Sequence, residues 1–355
     1  MADKELSIKT YGPKKRLTVL QATDSRHFSE RNNTMTIKRF ISSLLAAMLM
    51  AHLATAQTFP SKPIRIVVPF GAGGVADLTA RIVAQKLSES LGQPVVIDNK
   101  PGAGGVVAGD AVAKAEPDGH TLLLMSNGTA VNAGLFKSLP FDTMRDFSPV
   151  STLGYFDIAI ITSADSKFRT LGDLLAFAKA NPGKLNLGTI NIGSTQNLAA
   201  ELFKTTAGVD VQIVPFNGSP AVITALRGGQ IDAAVEVLAP VLSQINAKAI
   251  RALAVTGEKR AAVLPDVPTA KESGLPNYVA RSWNALAAPA KTPKSIIARL
   301  NKEVTAAVDA PDVKKKLHDQ SVEAQSSSPE QAAALLASEI KRWGDVITRA
   351  KIPVQ

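Results

Sequence analysis

Short β-branched runs alternate with amphipathic stretches from Ile64 onward, and this rhythm constrains the fold more than any other feature of the chain. Ile64-Val68, Pro94-Asp98 and Thr121-Met125 read as strands, with helical patterns over Asp77-Leu91 and through Lys114 between them. The rhythm restarts with Ile158-Thr162, a helix over Leu171-Ala180 and strands at Leu185-Thr189, Val211-Pro215 and Ile231-Val237. Short strands at Leu253-Val255 and Leu286-Ala288 follow, then two long helices over Pro293-Asp309 and Pro329-Ala350. Alternation of this kind predicts an α/β fold in two sets, each a mostly parallel sheet flanked by helices. The tail after Trp283 is too small for a third unit, so it is expected to return to the first set. The chain would then cross twice between two lobes, 57–156 plus 282–355 and 157–281.

The amino end reads differently. Residues 35–56, MTIKRFISSLLAAMLMAHLATA, carry a basic start, a short apolar core and an Ala-Thr-Ala end, the pattern of a secretory signal peptide. An N-terminal anchor helix or a buried core helix is the alternative. Residues 1–34 are expected to be a non-native or disordered extension, with translation starting at Met35. The formal charge of +10 owes much to this region. Removing residues 1–56 takes nine of the 40 Lys/Arg and four of the 30 Asp/Glu, leaving +5. No basic run interleaved with aromatics remains, which argues against nucleic acid, and Lys314-Lys316 reads as a solvated helix face. The absence of cysteine fits an exported chain and excludes thiolate chemistry, while His120 and His318 are not spaced as metal ligands.

The sharpest motif is IRIVVPFGAGGVAD, residues 64–77. Gly71-Ala76 fits G-x-G-x-x-G/A between strand and helix, and Asp98 lies 22 residues past Ala76, as in a dinucleotide fingerprint. Glycines there bring backbone N–H groups to a positive helix end, which suits any anion, phosphate or carboxylate. Export into a compartment not supplied with nicotinamide cofactor and the Pro69-Phe70 insertion argue against a nucleotide. So does repetition: Ser126-Asn127-Gly128-Thr129 and Gly193-Ser194-Thr195-Gln196-Asn197 are similar small polar junctions at strand ends. Catalytic motifs are missing: no G-x-S-x-G, H-E-x-x-H or Walker pattern occurs, and no histidine stands ready as a base.

The segments PSKPIRIVVPFGAGGVADLTAR, VVIDNKPGAGGVVAGD, PDGHTLLL, GSTQNLAAELF, VPFNGSPAVITALRGGQID, IRALAVTGEKRAAVLPDVPTAKESGLP and IKRWGDVI carry a resemblance. In that order they make Phe59-Ile352 similar to solute-binding proteins of tripartite tricarboxylate transporters, also called Bug receptors. The resemblance implies a periplasmic-binding-protein-like two-lobed flytrap that holds a small organic mono- or dicarboxylate and delivers it to membrane permease subunits. It implies a periplasmic, monomeric receptor with no cofactor, no metal and no catalytic residue. It also implies a ligand site made of Phe70, Gly73, Gly74 and Asp77, then Ser126, Asn127, Thr129 and Asn132 in a strand-end loop. The opposite lobe would add Gly193, Ser194, Thr195 and Asn197, then Phe216, Asn217, Gly218 and Glu236. Gly73 and Gly74 would offer N–H groups, Asp77 would serve more as a first-turn acid than a direct contact, and Phe70 and Phe216 would be either apolar jaws or core. Ser194 and Thr195 could equally be helix caps, and Trp283 is hinge packing or cleft lining. Asn197 stands where relatives carry His, and Glu236 where many have an aromatic residue or Asp, so relatives' ligands do not transfer. Alternatives are a dinucleotide-dependent oxidoreductase using Gly71-Ala76, and a ligand sensor for a signalling protein.

Overall fold

The computed structural model describes residues 59–354. The expected extension and signal peptide, residues 1–56, lie outside them. Within the described residues ten strands and ten α-helices form a two-lobed, mixed α/β molecule.

Strands β1 (Ile64–Val68), β2 (Val95–Asn99) and β3 (Thr121–Ser126) pair in parallel in the order β2-β1-β3. Helices α1 (Val75–Leu91) and α2 (Val106–Ala113) connect them, and α3 (Asn127–Leu135) follows β3. β1 alternates as a strand buried on both faces must. Ile64, Ile66 and Val68 pack in one cluster with Val83 and Leu87 of α1, while Val67 enters another with Leu123 and Met125. Each such buried aliphatic side chain contributes roughly 1.5–3 kcal/mol.

Strand β4 (Phe147–Ser163) is longer than the expected Ile158-Thr162 and belongs to both sheets. Phe147 to Asp157 pair antiparallel with β9 (Arg281–Pro289), which also borders β3. From Ile158 the partners of β4 become β7 (Ala233–Val237) and β8 (Ile250–Val255), both antiparallel. The second sheet continues through β5 (Asn186–Ile190) to β6 (Gln212–Phe216), parallel to each other and to β7. Its helices are α4 (Leu171–Ala180), α5 (Thr195–Ala207), α6 (Ser219–Arg227) and α7 (Leu238–Asn246). Each sheet therefore has three parallel strands and an antiparallel flank, a more mixed arrangement than the alternation predicts.

The carboxyl end carries α8 (Lys294–Asp309), α9 (Pro311–Asp319), the short β10 (Val322–Ala324) and α10 (Pro329–Arg349). β10 pairs with Gly154–Phe156 of β4, and α8 packs on α1 and β4. Helix α10 lies against α3, β4 and α5, with Trp343 fully buried and its Nε1 donating to Glu339 at 2.7 Å. Lys314 and Lys315 pair with Asp309 and Asp319 on an exposed face, as the sequence suggests. Where the partners of β4 change, Arg281 Nε donates to Asp157 at 2.8 Å, and its other arm reaches Glu323. Burial pushes the Asp157 carboxyl up despite that guanidinium. Trp283 is buried opposite Tyr155 in the β4–β9 ladder, so it packs the crossover.

Candidate functional site

All the anion-loop residues fall at the carboxyl ends of parallel strands, where open α/β sheets bind ligands. In the first half, β1 runs into Pro69-Gly74 and then α1. Gly73 has φ 85°, a backbone that favours glycine, and its N–H donates to Asp77 Oδ2 at 2.8 Å. Asp77 is fully buried in the first turn of α1 and also accepts from Arg81 Nε at 2.9 Å and Asn99 Nδ2 at 2.9 Å. Burial pushes its carboxyl up, but the bonds from Arg81, Gly73 and Asn99 outweigh that and hold it below the ordinary aspartate range. Asn99 Nδ2 also reaches Phe70 O at 3.0 Å, which ties the loop to β2. The Gly73 N–H is thus spent inside the loop. Gly74, the N-cap of α1, supplies no side-chain acceptor, so the first-turn N–H groups of that helix have no capping partner.

Ser126-Asn132 is not a strand-end loop, as expected, but the start of α3. Ser126 caps it: its Oγ accepts from Gly128 N at 3.2 Å, and Thr129 Oγ1 accepts from Ser126 N at 3.1 Å. That reciprocal capping satisfies two donors and starts the helix one residue after the strand. Asn127 Nδ2 donates to Arg281 O and Asn132 Nδ2 to Gly104 O, so both asparagines tie neighbouring segments to this helix. Beside Ser126 in the β3–β9 ladder lies Asn284, buried with neither amide atom hydrogen-bonded; Asn127 Oδ1 is likewise unpartnered. Sequence reasoning missed Asn284, since an Asn in an apolar strand gives no signal until its neighbours are known.

The second half repeats the first turn. Gly193 has φ 80° and donates its N–H to Asn197 Oδ1 at 3.2 Å. Asn197 is buried, and its Nδ2 donates to Thr189 Oγ1 at 3.3 Å. Ser194 caps α5 by accepting from Asn197 N at 3.1 Å, the capping alternative weighed above, and Thr195 is buried beside it. A Cβ on Gly193 would meet Leu135 Cδ2 at 2.3 Å, so this turn presses on the end of α3. Phe216 is half-buried against the core of the second half, whereas Phe70 is exposed; the two do not form an equivalent pair. Ile192, beside Gly193, is exposed as well. Asn217 and Gly218 lead into α6, whose cap Gly218 again offers no side-chain acceptor.

Glu236 closes the set. It is buried near the end of β7, and its Oε2 accepts from Ser219 Oγ at 2.9 Å and Gln196 Nε2 at 3.4 Å. Its Oε1 has no partner. Burial pushes this carboxyl up to about 7, against the bonds from Ser219 and Gln196. Gln196 and Ser219 were not singled out from the sequence.

What the strand ends leave uncommitted is the uncapped helix starts after Gly74 and Gly218, Asn127 Oδ1, the Asn284 amide and Glu236 Oε1. Asp98, the acid of the dinucleotide pattern, is engaged by Arg65 and Lys100. A groove of about 580 Å³ between α6 and α7, touching Pro220, Arg227, Pro240 and Gln244, shares only Ser219 with the strand-end set. We place the candidate site at the strand ends, where helix starts and unpartnered buried polar atoms converge. No group of three or more His, Asp or Glu suited to a metal occurs among the described residues.

The two-lobed mixed α/β fold is that of the periplasmic binding proteins among the solved structures. Residues 79–352 match the tripartite tricarboxylate transporter family receptor, and the chain belongs to that family. It is 37% identical over 316 residues to the protein BugT of Bordetella pertussis, covering 88% of this chain and 97% of BugT. A Rhodopseudomonas palustris protein solved with adipate superposes with a TM-score of 0.76 at 33% identity, over 83% of this chain and 99% of that one. MatC of the same organism, solved with bound malate, gives 0.71 at 34% identity, over 81% and 100%. The family is one of receptors, which supports that role for the chain and not the oxidoreductase alternative. Among the described residues no helix is long and apolar enough to cross a membrane.

Proposed function

We propose that this chain captures a small organic mono- or dicarboxylate between its two lobes and hands it to the permease subunits of a tripartite tricarboxylate-type transporter. The observation that carries the reading is the pair of matched glycine turns, Gly73 with Asp77 and Gly193 with Asn197, each opening a helix at a strand end. Relatives solved with adipate and malate support the ligand class. In this reading 57–156 plus 282–355 form one lobe and 157–281 the other, in keeping with the change of β4 partners after Asp157. Gly74 and the first turn of α1 contact the ligand from one side, with Asn127 and Asn284 beside them. Ser194, Asn217, Gly218 and Glu236 contact it from the other. Asp77 and Asn197 hold the turns in shape.

A micromolar receptor needs about −8.2 kcal/mol. Each partly buried helix end supplies up to ~2 kcal/mol, so direct hydrogen bonds, burial of the carbon skeleton and exclusion of water supply the rest. Residues 35–56 act as a signal peptide removed on export, and the receptor works as a monomer without cofactor, metal or catalysis. Thermal-shift and calorimetric titration of the mature protein with adipate, malate and aromatic acids tests this, with NAD as the contrast. Stabilisation by an organic acid and none by NAD is expected; tight NAD binding with no response to any acid would overturn it.

A further inference from the structure

Three helix starts of the second half meet at one carboxyl group. Gln196 lies in the first turn of α5, Ser219 opens α6, and Glu236 precedes Val237, the cap residue of α7. Neither Gly218 nor Val237 caps its helix with a side chain. Both side-chain donors converge on Glu236 Oε2, while Oε1 is buried with nothing bonded to it. A bare, buried carboxylate oxygen without a cation is costly. A neutral carboxylic acid fits the same arrangement, with its carbonyl at Oε2 and its O–H at Oε1, and then lacks one acceptor.

No charge nearby offers another solution. The Ile158–Ser163 part of β4, β5, and α7 contain no ionisable residue, and Glu236 is the only one in β7. Glu201 and Lys204 lie in later turns of α5 and Arg227 in the last turn of α6, and none of them acts on Glu236. The burial that pushes the carboxyl up to about 7 agrees with a retained proton.

We propose that Glu236 meets the ligand as a neutral acid, donating its Oε1 hydrogen to an oxygen of the bound molecule. This inference rests on the receptor reading and narrows it. The site takes organic acids with an oxygen acceptor at this end, such as hydroxy acids and dicarboxylates, in preference to amino acids. An ammonium group would face the positive ends of α6 and α7 and a carboxyl that already carries its proton. Binding then draws a proton onto Glu236 wherever the free receptor has lost it.

The test is calorimetric titration of the mature protein with malate, adipate and aspartate between about pH 6 and 8.5, in two buffers of different ionisation enthalpy. Malate or adipate is expected to bind with proton uptake that approaches one per site at alkaline pH, and to weaken by roughly tenfold per pH unit there. Aspartate is expected to bind at least about tenfold more weakly than malate. Glu236→Gln, which keeps a donor in nearly the same place, should hold its acid within about threefold and lose the pH dependence. Binding of either acid with no proton uptake and a flat pH profile would overturn this inference and leave the receptor reading standing. Preference for aspartate, abolished in Glu236→Gln, would do the same. No response to any of the three, nor to the aromatic acids, would remove the receptor reading along with it.

Discussion

Asp77 and Asn197 occupy the same place in the two halves of the molecule. Each lies four residues after a glycine of positive φ, and each accepts that glycine's N–H, at 2.8 and 3.2 Å. The surroundings differ in charge. Asp77 is ionised and held by Arg81 and Asn99, whereas Asn197 is neutral and donates to Thr189. The first turn is therefore locked by a charge-assisted hub and the second by neutral bonds, which are individually weaker.

Asp77→Asn should cost about 1.5–3 kcal/mol in urea unfolding at neutral pH, the range for hydrogen bonds to a charged group. Because the folded Asp77 is held below the ordinary aspartate range, its contribution is complete above that range and is lost as the pH falls through the folded value. The gap between wild type and variant should accordingly narrow on acidification. A gap independent of pH would contradict the hub.

Gly74 has an ordinary extended backbone, and a Cβ there would approach only Gly71 O, at 3.9 Å. Gly74→Val is expected to unfold within about 1 kcal/mol of wild type yet lose at least about tenfold in affinity for the cognate acid, because the branched side chain covers the open N–H groups of α1. Unchanged affinity by calorimetry would place the ligand elsewhere.

Gly193→Ala makes the opposite prediction. Its φ of 80° and the 2.3 Å approach to Leu135 mean that both the turn and the end of α3 must shift. A loss of about 2–4 kcal/mol in stability is expected, and unfolding as cooperative as wild type at an unchanged midpoint would refute it.

Arg281→Met removes the guanidinium that accompanies the partly buried Asp157. The expected cost is about 2–3 kcal/mol, less than for a wholly buried pair because Arg281 keeps some solvent contact. Asp157 already has a raised carboxyl and would be raised further without its partner, so the deficit should shrink at acid pH, where the carboxyl is protonated in both folded and unfolded chains. The double variant Asp157→Asn, Arg281→Met should recover part of the loss.

Without ligand, Glu236 should leave its own mark. Its folded carboxyl sits near pH 7, above the unfolded value, so wild type loses stability as pH rises from the ordinary glutamate range to about 7 and then levels off. Glu236→Gln lacks this slope, and the difference in unfolding midpoint should widen in the variant's favour over that interval. Parallel pH profiles for the two proteins would mean that the carboxyl is ionised in the fold.

Most of the helices and parallel strands were legible because hydrophobic period and glycine stops are local. Ile64–Val68 and Leu171–Ala180 fall as their residues predict. Elements with mixed local signals were not. α7, in LAPVLSQIN, carries Pro240 in its first turn, where proline is tolerated but reads as a stop. Pro149 and Gly154 similarly conceal the length of β4, whose antiparallel partners lie far away in sequence. In the site, the glycine turns and caps announced themselves, whereas Arg81, Asn99, Gln196, Ser219 and Asn284 did not. Their importance comes from what they touch, and those neighbours arrive only with the tertiary fold.

A strand hydrogen-bonded into both sheets cannot slide; it can only wring. Any movement of one sheet against the other would therefore be taken up as torsion near Asp157–Ile158, where β4 exchanges its partners. The protein is built less like two beads on a string than like a torsion bar with a fixed axis.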